Sequence, residues 1–446
     1  MSQHGPLLIV SRSSRPSLTA ALDAAQILPT MEARWDAAAG IISRVQPAAV
    51  LAVMEDADAS EMRAVSQHLD ARKPYVPLIA IAPGETTLPD NAIPLHGSDN
   101  TDRLLARLRA ALRVRTLHTT VLRRLDEKKA PDATMPDTDP LSDATVLLLG
   151  RGGSLPGLSV ALGERMAVVG ALSIEAAAKH LSSRDIDGIV LGEGFSPRVV
   201  DAFLAVLAED TRFRNLAVVV TANQPAPLQE LANLEIIAGA PAHIAASALP
   251  LIRQHAFEAR LNRTLRAIEA GGMLDPQTGL LTRTAFARDF ATAVSQTQKS
   301  GGSLAVARFA FDPVSPRAQY DGARIISRLM RRMDFGTHED NGSVIVVFAE
   351  TDLRSAHAIA RRLSGVMRHT SHGKRDARTE PAITIAALQP GGTARTLLAR
   401  VHNEAQRAAS GDCGTARPII ASEAQSEAIQ CSDGTLDCFA APLRSQ

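Results

Sequence analysis

Short apolar runs alternate with amphipathic stretches through the first 270 residues. PLLIV (6–10), AAVLAVM (48–54) and VPLIAIA (76–82) have the length and composition of buried strands. SLTAALDAAQ, ASEMRAVSQHLDARK and the long, basic NTDRLLARLRAALRVRTLHTTVLRRLDEKK carry helical spacing between and after them. Apolar strands separated by helices predict βα units on a parallel sheet covered on both faces. APDATMPDTDPLSD (130–143), rich in Pro, Asp and Thr, interrupts the pattern as a linker. The pattern then restarts. ATVLLLG (144–150), AVVGA, DGIVLG (187–192) and LAVVVTA (216–222) read as strands, with helices between them and a long helix, AHIAASALPLIRQHAFEARLNRTLRAIEAGG, at the end. Two tandem copies of one α/β unit are predicted. The helix running out of each copy predicts a connecting stalk and a dimer contact.

A different plan begins near residue 271. The strand SLAVARFAF (303–311) leads to a helix, ARIISRLMRRM (323–333). HEDNGS then sits directly before VIVVF, and Asn341-Gly342 predicts a hairpin turn. DLRSAHAIARRLSGVMRHT (352–370), AITIAAL (382–388) and ARTLLARVHNEAQRAAS (394–410) read as helix, strand and helix, an α+β arrangement. The last stretch, 413–446, has the composition of a loosely ordered tail.

Composition narrows the function class. A length of 446 residues suits about three domains. A net charge of +1 gives no general attraction to nucleic acid or membrane, and 3% aromatic content argues against base-stacking platforms. No run reaches the roughly 18 apolar residues of a membrane span, and the four-residue run near the N-terminus is shorter than a secretory core. A cytoplasmic location is expected. Three cysteines make no disulfide framework, and Cys431 and Cys438 read as reduced thiols without a metal.

DPQTGLLTR (275–283) resembles the D-x-L-T-G-L-x-N-R opening of GGDEF domains, through Asp275, Thr278, Gly279, Leu280 and Arg283, with Thr282 in place of Asn. The downstream order of elements is also similar. The whole chain resembles receiver–receiver–GGDEF response regulators of the PleD and PopA type. The resemblance implies two tandem flavodoxin-like, doubly wound receiver-like domains (1–129 and 144–270, the second with its connecting helix), joined by the 130–143 linker. A GGDEF-like, nucleotidyl-cyclase-type α+β domain (271–412) follows.

The same resemblance implies a cyclase chemistry that this sequence has lost. Condensing two GTP molecules needs divalent metal held by carboxylates. At the family's catalytic hairpin stand Asp340, Asn341, Gly342, Ser343 and Val344, with Gly342 and Ser343 in the acidic positions. Ala310 occupies the other metal position, and Asp312 matches only the outer Asp of that pattern. PVSPRAQYDGA lacks the guanine-holding residues, and Ala409 replaces the phosphate-binding Lys. No catalytic or metal residue is therefore expected. Mg²⁺ is needed only if catalysis survives on shifted carboxylates, Glu339 and Asp340.

Arg331-Arg332-Met333-Asp334 matches the family's R-x-x-D product-binding site, and alignment places Arg362 as its partner on the next helix. Arg can donate paired hydrogen bonds to guanine O6 and N7 or to phosphate. Asp can accept from the guanine edge. A solvated basic face at a helix end is the alternative reading. The receiver-like units lack phosphorylation chemistry. Ser11-Arg12 and Gly150-Arg151 replace the acidic pairs, Ala52 or Val53 and Gly192 replace the acceptor Asp, and Ala82 replaces the Thr/Ser that Thr221 alone matches. Glu55, Asp56 and Glu193 lie nearby. No phosphoacceptor is expected.

The leading expectation is a cyclic di-GMP-binding effector, catalytically inactive and needing no cofactor, that forms a homodimer and contacts other signalling proteins through pseudo-receivers. It inserts into no membrane and binds no nucleic acid. The alternatives are an active diguanylate cyclase and a scaffold that binds no nucleotide.

Overall fold

A computed structural model describes residues 5–55, 57–84, 86–96, 101–127, 135, 138–221, 231–311, 316–371 and 380–409. The elements up to Ala405 belong to one unit. Asp56, Asp312, the 413–446 tail with Cys431 and Cys438, and the side chain of Ala409 lie outside the described residues.

The first segment runs β1 (Leu7–Val10), α1 (Pro16–Ala24), β2 (Thr30–Ala33), α2 (Trp35–Val45), β3 (Ala49–Val53), α3 (Ala59–Asp70), β4 (Leu78–Ile81), β5 (Ala92–Leu95) and α4 (Thr101–Asp126). Its five strands are parallel, in the order β2-β1-β3-β4-β5. This 2-1-3-4-5 order is that of open doubly wound sheets. Every residue of β1, β3 and β4 is buried, which explains why they read as unbroken apolar runs.

The second segment follows a 3-10 turn at Pro140–Asp143. It runs β6 (Thr145–Leu149), α5 (Leu155–Gly163), β7 (Ala167–Ala171), α6 (Ile174–Ser183), β8 (Gly188–Leu191), α7 (Pro197–Glu209), β9 (Ala217–Val220), β10 (Leu234–Ile236) and α8 (Pro241–Glu269). Its own strands repeat the same parallel order. The two copies expected from the sequence are thus present as sheets. Apolar periodicity showed seven of these ten strands. The three it missed, β2, β5 and β10, sit at sheet edges, where short, polar or proline-bearing strands are tolerated.

The stalk helices find their partners inside the chain. α4 packs along α8, and one apolar cluster joins Leu51, Leu108, Val146, Val190 and Ile252 across both sheets. The dimer contact expected of these helices is, over this face, an intramolecular one. A buried ionic cluster joins the same parts. Glu235 on β10 is fully buried and pairs with Arg107 and with Arg103 (3.2 Å) of α4, and with His96 (2.9 Å) just after β5. Arg107 also donates to the carbonyls of Pro94 and, at 2.9 Å, Leu234.

The third segment runs α9 (Arg283–Ser300), β11 (Leu304–Ala310), α10 (Pro316–Leu329), β12 (Phe335–His338), β13 (Val344–Ala349), α11 (Leu353–Met367), β14 (Thr370–Ser371), β15 (Ala382–Ala387) and α12 (Ala394–Ala409). Its antiparallel sheet has the order β12-β13-β11-β15. Side chains alternate across it as the pleat requires. Ala305, Ala307, Phe309, Val344, Val346 and Phe348 face α10 and α11, while Leu304, Val306, Ile345 and Val347 face α9 and α12. α10 ends at Leu329, four residues before the expected limit, so R-x-x-D lies beyond the helix. Thr370 is likewise no part of α11. β14 pairs antiparallel with β7 and adds a strand to the second sheet. At this seam the side chain of Arg184 is completely buried. It donates to Thr370 Oγ1 and to the Val366 carbonyl, and lies 3.9 Å from Asp321 of α10.

Candidate functional site

The hairpin is formed as expected, but by a different turn. Glu339 N–H donates to the Ser343 carbonyl at 2.8 Å, and Gly342 N–H to the Glu339 carbonyl at 3.0 Å. The loop is therefore three residues long, Asp340, Asn341 and Gly342. Only Gly342 has positive φ, +80°. This is a turn closed by a left-handed glycine, where a two-residue Asn-Gly loop would need positive φ at both. A Cβ on Gly342 would lie 2.2 Å from Gln319 Cδ of α10. The left-handed φ of Gly342 strains any residue with a Cβ there, and the flexible end of the Gln319 side chain would have to move aside.

The carboxylates beside the turn have partners. Glu339 accepts from Ser343 Oγ at 2.6 Å, meets His402 Nε2 at 3.0 Å and lies 3.7 Å from Arg308 Nε. Burial alone would raise its pKa, but the Ser343 hydroxyl, His402 and Arg308 outweigh it and hold it low. Asp340 pairs with Arg283 at the surface. Asn341 Oδ1 accepts from Ser343 N–H at 2.9 Å, and Val344 is buried in the sheet. Ala310, last in β11, offers no ligand atom. Among the described residues no group of three or more His, Cys, Asp or Glu could hold a metal ion, and no helix is long and apolar enough to cross a membrane.

The DPQTGLLTR segment is a closed turn that braces this hairpin. Asp275 accepts from Thr278 Oγ1 at 2.6 Å and Gln277 N–H at 3.0 Å, and Gly279 has φ +74°. Leu281 N–H donates to the Gly336 carbonyl, and Thr337 Oγ1 to the Leu281 carbonyl. Arg283 then reaches Asp340. That link and the His402–Glu339 contact were not legible in the sequence. Arg283 lay in a recognised motif, but His402 carried no signal.

Arg331 and Asp334 are brought together in a turn between α10 and β12. Asp334 N–H donates to the Arg331 carbonyl at 3.0 Å. Asp334 is buried, 7% exposed, and its carboxylate accepts from the backbone N–H of Arg331 (3.4 Å) and of Ala349 (3.3 Å). Burial pushes its carboxyl above the usual range, against the pull of those N–H groups and the Arg331 charge. The Arg331 guanidinium is exposed. Arg362 lies on the exposed face of α11 beside Arg361. Among the described residues neither Arg331 nor Arg362 makes a side-chain hydrogen bond or ion pair, and none joins them.

At the switch points of the two parallel sheets, where open α/β folds hold ligands, no group of three or more His, Cys, Asp or Glu among the described residues could hold a metal ion. In the first, Arg12 pairs with Glu61 at 2.9 Å and Arg15 with Glu55. Ser11 Oγ donates to the Ser13 carbonyl, Ala52 and Val53 are buried, and Ala82 has positive φ. In the second, Arg151 donates to the Leu172 carbonyl at 2.6 Å and Thr221 Oγ1 to that of Leu191.

No family model and no curated protein sequence matches the chain. Part of it is similar to solved GGDEF domains. The coiled coil and GGDEF domain of DgcB from Caulobacter crescentus, in complex with c-di-GMP, is 14% identical with a TM-score of 0.30, over 34% of this chain and 88% of that one. A sensory box/GGDEF family protein from Caulobacter crescentus CB15 is 23% identical with a TM-score of 0.28, over 31% and 98%. The FimX GGDEF domain from Pseudomonas aeruginosa is 20% identical with a TM-score of 0.27, over 31% and 94%. Likenesses of this size carry no argument about this chain.

Proposed function

We propose that the chain is a cyclic di-GMP-binding signalling effector without cyclase activity. Residues 271–412 form its degenerate GGDEF domain, and 1–129 and 144–270 its two pseudo-receivers, joined by the 130–143 linker. The observation that carries this reading is that Arg331, in the turn after α10, and Arg362, on α11, are exposed and make no side-chain hydrogen bond or ion pair among the described residues, while the carboxylates at the hairpin turn are absent or already paired. Arg331 and Arg362 supply donors for guanine O6 and N7 and for phosphate. Asp334 holds the turn that presents Arg331. Ligand there biases the contacts of the third segment with the other two, and hence the partners those segments engage. No metal takes part.

Calorimetry with cyclic di-GMP tests the reading. Wild type is expected to bind. Arg331→Ala and Arg362→Ala should each weaken binding by roughly 10- to 100-fold, the loss of a charge-assisted hydrogen bond. A wild type that takes up no ligand sinks the proposal and favours a nucleotide-independent scaffold. Product formed from GTP and Mg²⁺ above a no-enzyme control overturns the inactivity.

A further inference from the structure

A sheet edge offers a row of N–H and C=O groups to any strand that can pair with it, and folded chains close or blunt such edges. The three sheets of the described structure have six edges, and five are so treated. Leu281 pairs with β12 through the Gly336 carbonyl. β14 is two residues long. On β10 the Leu234 carbonyl accepts from Arg103 and Arg107. On β5 the Pro94 carbonyl accepts from Arg107, and Pro94 has no N–H to offer. β2 is four residues long and carries Glu32. β15, at the end of the third sheet, is different. Its six residues, AITIAA, hold no charge, proline or glycine, and among the described residues no strand but β11 pairs with it.

The register fixes which of its backbone groups are open. Leu388 N–H donates at 2.8 Å to the carbonyl of Leu304, its opposite number when the β11–β15 register is extended by one. In an antiparallel ladder, residues bonded to a neighbour alternate with residues whose groups point away from it. Ala382, Thr384 and Ala386 therefore bond β11, and the N–H and C=O of Ile383, Ile385 and Ala387 point to the outer edge. The Ala387 carbonyl is capped there by Arg400 Nη1 of α12 at 3.0 Å. Ile383 and Ile385 have no such cap among the described residues.

Two features make a second copy of the chain the occupant. The first is symmetry. Residues 382–386 read AITIA in both directions. Antiparallel pairing about a twofold axis at Thr384 sets Ile383 opposite the second copy's Ile385, and both are residues whose groups point outward. Each such pair can exchange both of its hydrogen bonds. The faces match as well. Ile383 and Ile385 join the apolar cluster with α10 and α11, while Thr384 turns the other way and donates to the Val401 carbonyl. The pairing also ends cleanly. Ala387 falls opposite Pro381, which has no N–H, and the Ala387 carbonyl is already taken. The second feature is charge. Glu380, just before the strand, is exposed and lies 3.6 Å from Arg368. Arg400, at the far end, has no carboxylate partner among the described residues. Antiparallel pairing brings Glu380 of each copy to the Arg400 end of the other.

We propose that β15 pairs with β15 of a second copy, joining two third-segment sheets into one continuous antiparallel sheet across a twofold axis at Thr384. The test uses the full-length chain and no nucleotide, so its outcome is separate from that of the cyclic di-GMP reading. Wild type should sediment as a dimer. Ile383→Pro removes only an outward N–H, which edge strands tolerate, and should raise the dissociation constant by at least roughly tenfold. Its far-UV circular dichroism should be unchanged. Register is read by cross-linking, in a chain carrying Cys413→Ser, Cys431→Ser and Cys438→Ser. The paired Thr384 residues are a non-hydrogen-bonded pair with Cα atoms about 4.5 Å apart, within disulfide reach. On oxidation with diamide, Thr384→Cys should form a covalent dimer. Ala382→Cys, two residues from the axis in each copy, should not, a comparison of two mild changes in one strand that a folding defect does not mimic. A wild type that stays monomeric at tens of micromolar, roughly the range in which an interface of this kind should assemble, would overturn the proposal. So would equal cross-linking of the two cysteine variants, or a folded Ile383→Pro that dimerises as wild type does.

Discussion

Asp334 shows how one residue changes meaning between sequence and structure. In R-x-x-D it reads as a ligand group. In the fold its carboxylate caps two backbone N–H groups and is out of solvent. Asp334→Ala is expected to cost about 1–3 kcal/mol of stability, the usual penalty for stranding buried donors, measurable by urea unfolding. The pH dependence has a defined sign. Its folded pKa is raised above the ordinary 3.8, so its contribution is fully present below that value and declines as pH rises through the folded pKa. The substitution should therefore cost more in acid than at pH 7. Loss of ligand binding in this variant would reflect the turn as much as the ligand, whereas the exposed Arg331 and Arg362 can be changed without that ambiguity. Gly342 is the converse case. Its lack of a carboxylate and its place in a turn were legible, but the end of the Gln319 side chain lying against it was not.

At the scale of elements, β14 is the informative one. Two residues following α11 leave their own segment to pair with β7, and Arg184 is buried across the seam. Nothing in the local pattern marks this, because a two-residue strand has no period. Arg184→Ala would leave Asp321 and Thr370 facing an unfilled, uncompensated site. We expect a loss of about 3–5 kcal/mol, as for other broken buried pairs. Hydrogen exchange at the Thr370 amide should accelerate more than at Val346, in the centre of the third sheet. A double variant, Arg184→Met with Asp321→Leu, should recover much of the loss, since two apolar groups need no partner. Similar exchange at both amides in Arg184→Ala would show that the seam is not what the arginine holds.

For the whole molecule, the question is how the two parallel sheets act together. Their shared apolar cluster and the Glu235 cluster make one body of what the sequence presented as two repeats. Glu235→Ala leaves Arg107 buried without its anion, whose pull now opposes the lowering of the Arg107 pKa by burial. It should destabilise both sheets together by about 3–5 kcal/mol. Urea unfolding monitored by amide exchange in β3 and β8 should show the two strands losing protection in parallel. Loss in β8 alone would mean that the sheets unfold independently. The two long helices, expected to seek a second copy of the chain, are occupied by each other over their shared face.

By itself the sequence determined most of the element types, seven of the ten strands of the parallel sheets and the lack of a carboxylate at Gly342 and Ser343. Each of these is local: a strand or helix is set by a period of two or about 3.6 residues, and an absent carboxylate is absent in any fold. Tertiary structure decided which of the described Lys and Arg residues are paired. Arg184 finds Thr370 across 186 positions and Arg107 finds Glu235 across 128. Coulomb and hydrogen-bond partners are chosen by proximity in space, which no window of sequence contains. Only the folded chain separates Arg331 and Arg362, exposed and without a side-chain hydrogen bond or ion pair among the described residues, from the arginines that hold it together.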